Sequence, residues 1–353
     1  MRLALTGLRA SGKTTLFNAA TGAGVHTGEH GVEVHIGQVK VPDPRVEALA
    51  EMTRSKKVTH ASVEFVDLVG IAPQASVEAK LNAQVFAQMR ETDGVALVLR
   101  AFRSANVAHP LGPVDPARDL ALLLDELLLA DTLIVQKRID KLRVEVTKPK
   151  PTSAQEKHEL ALLEKCLALL EQQVPARRME LAPVELLALS SFQLLTLRPV
   201  LVVVNVDEQE IGKPVALEAD LPLLTVSAEI EAELAALPEA ERQELAEEYG
   251  LAAPVGLRLA QAACAALDGL TFLTSNEKEA RAWIIRRGSS ALEAAAKVHT
   301  DIARGFIRAE VVSFDQLAGC GSFRDARAKG KTRLEGKDYV VQEGDVIEFR
   351  FSA

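Results

Sequence analysis

Short, mostly apolar runs recur along the first part of the chain at residues 3–6, 36–41, 63–68 and 95–99, with helix-length segments of mixed polarity between several of them. Runs that are continuously apolar, rather than alternating, belong to strands covered on both faces, so the pattern predicts a mainly parallel sheet flanked by helices. Residues 200–204, directly after Pro199, and residues 223–226 carry the same signal. Between these groups the period changes. Leu120, Leu123, Leu124, Leu127, Leu128, Ile134, Val135, Ile139 and Leu142 follow helical spacing, Lys148-Pro149-Lys150-Pro151 interrupts them, and Leu160, Leu163, Leu167, Leu170 and Val174 resume in steps of three and four. This narrow seam predicts an antiparallel helical hairpin inserted into the sheet domain, with two ordinary surface helices as the alternative. From about Thr271 the strand signal returns at 282–285, 307–312, 339–341 and 346–351. The predicted organisation is a sheet domain formed by 1–118 and 196–270, a helical insertion at 119–195 and a strand-rich unit at 271–353.

Composition narrows the possible environments. The chain of 353 residues is 48% hydrophobic but only 4% aromatic, and no stretch approaches the roughly 20 apolar residues of a membrane span. The first residues lack the apolar core of a secretion signal, and Cys166, Cys264 and Cys320 are far apart with no paired histidines. These features predict a cytoplasmic protein with neither a disulfide framework nor a cysteine metal site, and no membrane partner. The net charge of -8 argues against a simple nucleic-acid coat protein, but it is unevenly spread. Residues 271–353 hold 14 Lys+Arg against 12 Asp+Glu and eight of the fourteen aromatics, leaving a net of -10 on the remainder. Arg324, Arg327, Lys329, Lys331, Arg333 and Lys337 face only Asp325 and Glu335 in that stretch. Such a run suits several phosphate contacts with RNA, or is a solvated loop; nothing in it points to DNA-specific binding.

The most specific motif is Gly7-Leu8-Arg9-Ala10-Ser11-Gly12-Lys13-Thr14, a P-loop pattern placed after the first strand and before a helix-forming segment. Backbone N–H groups of such a turn cradle phosphate oxygens, which nominates Gly7, Ala10, Ser11, Gly12, Lys13, Thr14 and Thr15. Lys13 neutralises the terminal phosphates and is a catalytic candidate; the Thr14 hydroxyl is a Mg2+ ligand. Asp67-Leu68-Val69-Gly70 ends the strand at 63–68, where Asp67 can reach Mg2+ and the Gly70 N–H can meet the terminal phosphate, although Asp-x-x-Gly alone is also a common turn. Guanine-reading proteins place Asn-Lys-x-Asp after a strand; here the sequence is Asn205-Val206-Asp207-Glu208, with Ser227-Ala228 after the next strand. Asn205, Glu208, Ser227 and Ala228 are therefore the base-site candidates. The longer acid at 208 disturbs the geometry that rewards guanine, which favours ATP while leaving GTP open.

With these residues identified, the chain resembles the YchF-type, Obg-related P-loop ATPases nearly end to end. The likeness is carried by Val41-Pro42-Asp43-Pro44-Arg45, Phe65-Val66-Asp67, Arg90-Glu91-Thr92-Asp93, Asn205-Val206-Asp207-Glu208 and Ser227-Ala228-Glu229-Ile230-Glu231-Ala232-Glu233-Leu234. In the tail it is carried by Lys278-Glu279-Ala280-Arg281-Ala282-Trp283, His299-Thr300-Asp301, Arg304-Gly305-Phe306-Ile307-Arg308-Ala309-Glu310-Val311 and Gly336-Lys337-Asp338-Tyr339-Val340-Val341. The resemblance implies an α/β G domain with a helical insertion, a C-terminal β-grasp TGS unit, ATP preferred over GTP, and association with the ribosome. It also implies that His109, in Asn106-Val107-Ala108-His109-Pro110, swings toward the phosphates as a catalytic group. This chain departs from the family in three places. Arg9-Ala10-Ser11 stands where Pro-Asn-Val is usual, Gly31 aligns with the family's first switch threonine, and Val77-Glu78-Ala79-Lys80-Leu81 replaces a glycine-rich segment. Ile71, where many GTPases carry a glutamine, cannot orient water. Three readings follow: a slow ATPase, a nucleotide-binding interaction protein with little hydrolysis, and a GTP-specific switch.

Overall fold

The computed structural model describes residues 1–26, 34–72, 79–146, 154–215, 217 and 220–352. The chain folds as two compact units, one comprising Arg2–Gly37 and Phe65–Val255, the other Met1, Gln38–Glu64 and Gly256–Ala353. The second unit thus recruits a segment from early in the chain that the sequence pattern assigns to the sheet domain.

The strands up to residue 226 are β1 (Arg2–Gly7), β2 (His35–Val41), β3 (Val58–Thr59), β4 (Ala61–Asp67), β5 (Gly94–Arg100), β6 (Val200–Asn205) and β7 (Leu223–Val226). All but β3 form one sheet in the order β2–β4–β1–β5–β6–β7. β1, β5, β6 and β7 pair in parallel, with Leu3 opposite Gly94, Val95 opposite Val200 and Val202 opposite Leu223. Every residue of β5 and β6 is buried, which is why both read as unbroken apolar runs. Val95, Leu97, Leu99, Val200, Val202 and Val204 share a core with Val85, Phe86 and Met89 and with Leu120, Leu123 and Leu127. The connection from β1 runs to one side of the sheet and β5 to β7 lie on the other, so the strand order reverses beside β1. In open parallel sheets ligands bind outside the carboxyl ends of the strands at such a point.

The helical insertion is built from helices Pro116–Val146 and Ala154–Glu171, followed by a short helix Pro183–Ser190. Val135, Ile139 and Leu142 of the first pack with Leu162, Leu163, Cys166 and Leu170 of the second. Cys166 is a wholly buried core residue, and burial raises its thiol to about 11. The expected seam is shifted accordingly: Leu160 and Leu167 are only partly buried, and Val174 falls after the helix ends. The Lys148–Pro151 interruption lies outside the described residues. No described helix is long and apolar enough to cross a membrane.

The second unit contains β8 (Gly269–Ser275), β9 (Ala280–Arg286), β10 (Phe306–Ser313), β11 (Arg333–Glu335) and β12 (Asp345–Phe351) in the order β11–β10–β12–β8–β9–β3. β8 and β9 form an antiparallel hairpin, helix Ala291–Val298 follows, and β12 returns parallel to β8 and antiparallel to β10. A hairpin, a helix and a last strand inserted beside the first make a β-grasp arrangement. Ser290 and Glu293 form a capping box that starts the helix, and Ala291, Ala294 and Ala295 pack it onto Leu270, Phe272, Ile285 and Phe306. The strand expected at 339–341 is only an isolated bridge from Val340 to Ser290. Its alternation is real, with Val341 buried and Val340 exposed. Its main-chain partners, however, belong to the helix start: Ala291 N–H donates to Tyr339 O and Val341 N–H to Ser289 O.

The terminal basic run is divided by this fold. Buried Glu310 accepts from Arg327 at 2.6 Å and from Arg350 at 2.6 Å, and Arg333 donates to the Tyr339 hydroxyl at 3.0 Å. The two arginines hold Glu310 below the usual carboxylate range. All six basic residues of the run are exposed, Arg327 and Arg333 beside these partners and Arg324, Lys329, Lys331 and Lys337 as well.

Candidate functional site

A cleft of about 1260 Å³ opens at the carboxyl ends of the parallel strands. One end is formed by the turn after β1. Gly12 caps the helix Lys13–Thr21 in the left-handed region at φ 83, and Ala10 is also left-handed at φ 60. The main-chain N–H groups at a helix start suit an anion because they lack intrahelical acceptors. Space requires two of the glycines. A Cβ on Gly7 would lie 2.2 Å from Val98 O, and one on Gly12 would lie 2.2 Å from Asn205 Nδ2.

Lys13, Thr14 and Asp67 meet at this end. Thr14 Oγ1 donates to Asp67 Oδ2 at 2.9 Å, while Asp67 Oδ1 is buried with no hydrogen-bond partner among the described residues. Burial lowers the Lys13 ammonium, an effect that Asp67 counters and Arg9 reinforces; burial raises the Asp67 carboxyl, countered chiefly by Lys13. A hydroxyl and a carboxylate, both hard oxygen donors, fit Mg2+, and the unmet Oδ1 leaves capacity for it. Gly70 belongs here too: a Cβ on it would come within 2.8 Å of Arg9 N. Ala10, Gly12, Lys13, Thr14, Thr15 and Gly70 all line the cleft. Ser11 is buried, its hydroxyl unpartnered among the described residues, and its carbonyl is used by Asn205.

Asn205 ends β6 and ties two loops together. Its Nδ2 donates to Ser11 O at 3.0 Å, and its Oδ1 accepts from Ala228 N–H at 2.8 Å. Its first task is thus to fix the phosphate turn against the start of helix Ala228–Ala236, which follows buried Ser227. Glu208 is placed differently from the expectation that it faces the base. It accepts from Tyr249 Oη at 2.6 Å and does not line the cleft. Asp207 accepts from Arg103 N–H at 3.1 Å. The other end of the cleft is walled by Asn205, Val206, Ala228 and Glu229, and by Phe102 and Arg103, which the sequence reading missed. Their signal was position: both follow the wholly buried β5, at the carboxyl end of a central parallel strand. Arg100 fixes this wall. Its Nε donates to Phe102 O at 3.2 Å, its Nη2 to Val107 O at 2.8 Å, and its guanidinium lies 4.5 Å from the Phe102 ring centre.

His109, which the resemblance makes a catalytic candidate able to swing toward the phosphates, has a side chain only 2% exposed in this structure, with both ring nitrogens engaged. Nδ1 accepts from Leu111 N–H at 3.2 Å, which leaves Nε2 to donate to Asp119 Oδ2 at 2.8 Å. The imidazole here ties its loop to the first turn of helix Pro116–Val146. His109→Ala is expected to lower unfolding free energy by about 1–3 kcal/mol in urea titration, since a buried acceptor and N–H lose their partner; an unchanged midpoint would show that the tie carries no stability. Gly31 lies outside the described residues.

A phosphate turn facing a Thr–Asp pair at the carboxyl ends of a parallel sheet defines a P-loop NTP hydrolase with a G domain. Residues 2–135 match the family described as 50S ribosome-binding GTPase, and residues 270–352 match the YchF-GTPase C-terminal family, described as a protein of unknown function. The "Ribosome-binding ATPase YchF" of Haemophilus influenzae is 36% identical over 359 residues, covering 99% of this chain and 98% of that one. The Bacillus subtilis protein of the same name is 36% identical over 362 residues with the same coverage. The solved structure of the Schizosaccharomyces pombe YchF GTPase superposes with a TM-score of 0.79 at 26% identity, covering 99% of this chain and 97% of that one. The chain belongs to the YchF family.

Proposed function

We propose that this protein is a slow Mg2+-dependent ATP hydrolase that associates with ribosomes. The observation that carries the hydrolase reading is the convergence of Lys13, Thr14 and Asp67 at one end of the cleft, with Asp67 Oδ1 unmet. Lys13 and the main-chain N–H groups of the turn bind and orient the β- and γ-phosphates. Thr14 and Asp67 are the residues to hold Mg2+, which when bound offsets charge on those phosphates. Gly70, free of a side chain beside Arg9, can offer its N–H to the terminal phosphate.

Base choice is supported by what the strand-end acids do. A guanine site needs a carboxylate to accept from N1 and N2; Glu208 is committed to Tyr249 and Asp207 to Arg103 N–H. Adenine requires no such acceptor, and Phe102 and Val206 offer it apolar surface in the same cleft. Slow turnover is supported by Ile71, aliphatic and 1% exposed, which cannot position water. The ribosome partner is supported by the names of the relatives and by the exposed Arg324, Lys329, Lys331 and Lys337, suited to phosphate contacts with ribosomal RNA. The helical insertion is the second contact surface in this reading. Thermal unfolding with matched ADP and GDP tests base choice. ADP is expected to raise the midpoint more at equal concentration, as mass action requires of the tighter ligand, and selective stabilisation by GDP would reverse the assignment.

A further inference from the structure

Hydrolysis requires something to stabilise the charge that moves as the γ-phosphoryl group transfers. The residue after Gly70 does not supply it. Ile71 is a buried aliphatic residue, and its N–H already donates to Gly7 O at 2.8 Å. His109 is held by Asp119 and by Leu111 N–H. Arg9, in contrast, stands at the phosphate end. It is the third residue of the turn that begins at Gly7, and it lines the cleft with Lys13, Thr14, Asp67 and Gly70.

Its main chain is fixed there. An added Cβ on Gly70 would lie 2.8 Å from Arg9 N and 3.1 Å from Arg9 Cα, and Leu8 bridges to Ile71, so Arg9 is pressed onto the strand end whose N–H can meet the terminal phosphate. The left-handed Ala10 that follows turns the chain sharply between Arg9 and the cradle. Lys13 and Arg9 both line the end of the cleft formed by the phosphate turn, an arrangement that suits a polyanion.

We propose that Arg9 is a catalytic residue: a guanidinium supplied by the phosphate turn itself, which binds the γ-phosphoryl oxygens more tightly in the transition state than in bound ATP. The inference rests on the ATP hydrolase reading. In the step it assists, a water oxygen bonds to the γ-phosphorus as the bond to the bridging oxygen breaks and its electron pair leaves on ADP. The protons of the water pass to the released phosphate and to solvent, and Arg9 stays protonated throughout. A planar fork of donors can follow two phosphoryl oxygens at once, which an ammonium cannot do. The group compensates for the aliphatic residue at 71 by acting on charge rather than on the water.

The test compares wild type, Arg9→Ala, Arg9→Lys and Lys13→Ala in single-turnover phosphate release from ATP, ADP affinity, and capture of the ADP–fluoroaluminate complex that mimics the transition state. Arg9→Ala is expected to slow release by about 100-fold or more and to lose the fluoroaluminate complex, while ADP affinity stays within about 3-fold. Arg9→Lys is expected to fall between the two. Release and fluoroaluminate capture at wild-type levels in Arg9→Ala would overturn the proposal, as would a loss of ADP affinity equal to the loss of rate. A wild-type rate no higher than that of Lys13→Ala would instead overturn the hydrolase reading itself, without reference to Arg9.

Discussion

Gly12→Ala is expected to weaken ADP binding by about 100-fold or more, equivalent to ~2.7 kcal/mol, in isothermal titration. Two costs combine at this residue. Its φ of 83 lies in the left-handed region, where a side chain costs about 1–2 kcal/mol. The new Cβ would also sit 2.2 Å from Asn205 Nδ2, so the Asn205 amide must move. That amide holds Ser11 O and Ala228 N–H together, and displacing it loosens the phosphate turn and the start of helix Ala228–Ala236 at once. Gly24 is the control, because it lines the same cleft with open space around its Cα and no left-handed φ. Gly24→Ala is expected to change affinity by less than about 2-fold; equal losses in the two variants would show that the Asn205 contact does not shape the site.

Asp131→Ala is expected to lower the unfolding free energy by about 3–5 kcal/mol, the largest stability effect anticipated for a single polar residue here. Asp131 is wholly buried in the helix Pro116–Val146. Its Oδ1 accepts from Leu195 N–H at 3.0 Å and from Arg90 Nη2 at 3.1 Å, and its Oδ2 accepts from Thr196 N–H at 2.7 Å. Truncation leaves two buried main-chain donors and an arginine without the acceptor that held them. The position matters for architecture, since 195–196 is where the chain leaves the helical insertion and returns to the sheet through β6. Asp131→Asn, which keeps an acceptor but not the charge, is expected to lose about half as much. Urea unfolding of the three proteins measures this, and a midpoint for Asp131→Ala within error of wild type would remove the residue from the framework.

The sheet was legible because its central strands are buried on both faces. GVALVLR in β5 and VLVVVN in β6 cannot be confused with exposed segments, and Pro199 marks where β6 begins. The recruitment of Gln38–Glu64 by the terminal unit was not legible, because the contacts that achieve it span the chain. Thr59 Oγ1 donates to Glu279, 220 residues away, and Arg45 donates to Glu343, 298 residues away. No local period encodes such pairs. The shifted seam of the insertion has a simpler cause: Cys166 behaves as a small apolar residue and takes the core position that leucine spacing gave to Leu167.

In the cleft, Lys13, Thr14 and Gly12 were readable because the P-loop is local and its chemistry depends on spacing. Asn205 was readable only as a polar residue at a strand end, and His109 only through the family resemblance. Their roles depend on which atoms use them first: Ser11 O and Ala228 N–H for Asn205, Asp119 and Leu111 for His109. Phe102 was not legible because a lone aromatic in a loop has no motif; its place in the cleft wall depends on Arg100, whose guanidinium lies against its ring.

Single-turnover phosphate release from radiolabelled ATP with Mg2+, wild type against Lys13→Ala, tests most directly whether this cleft hydrolyses nucleotide. Release from wild type, reduced by about 100-fold or more in Lys13→Ala, is the expected result. Equal and negligible release from both proteins, with ADP still bound by wild type, would contradict it and leave a nucleotide-binding interaction protein in place of an enzyme.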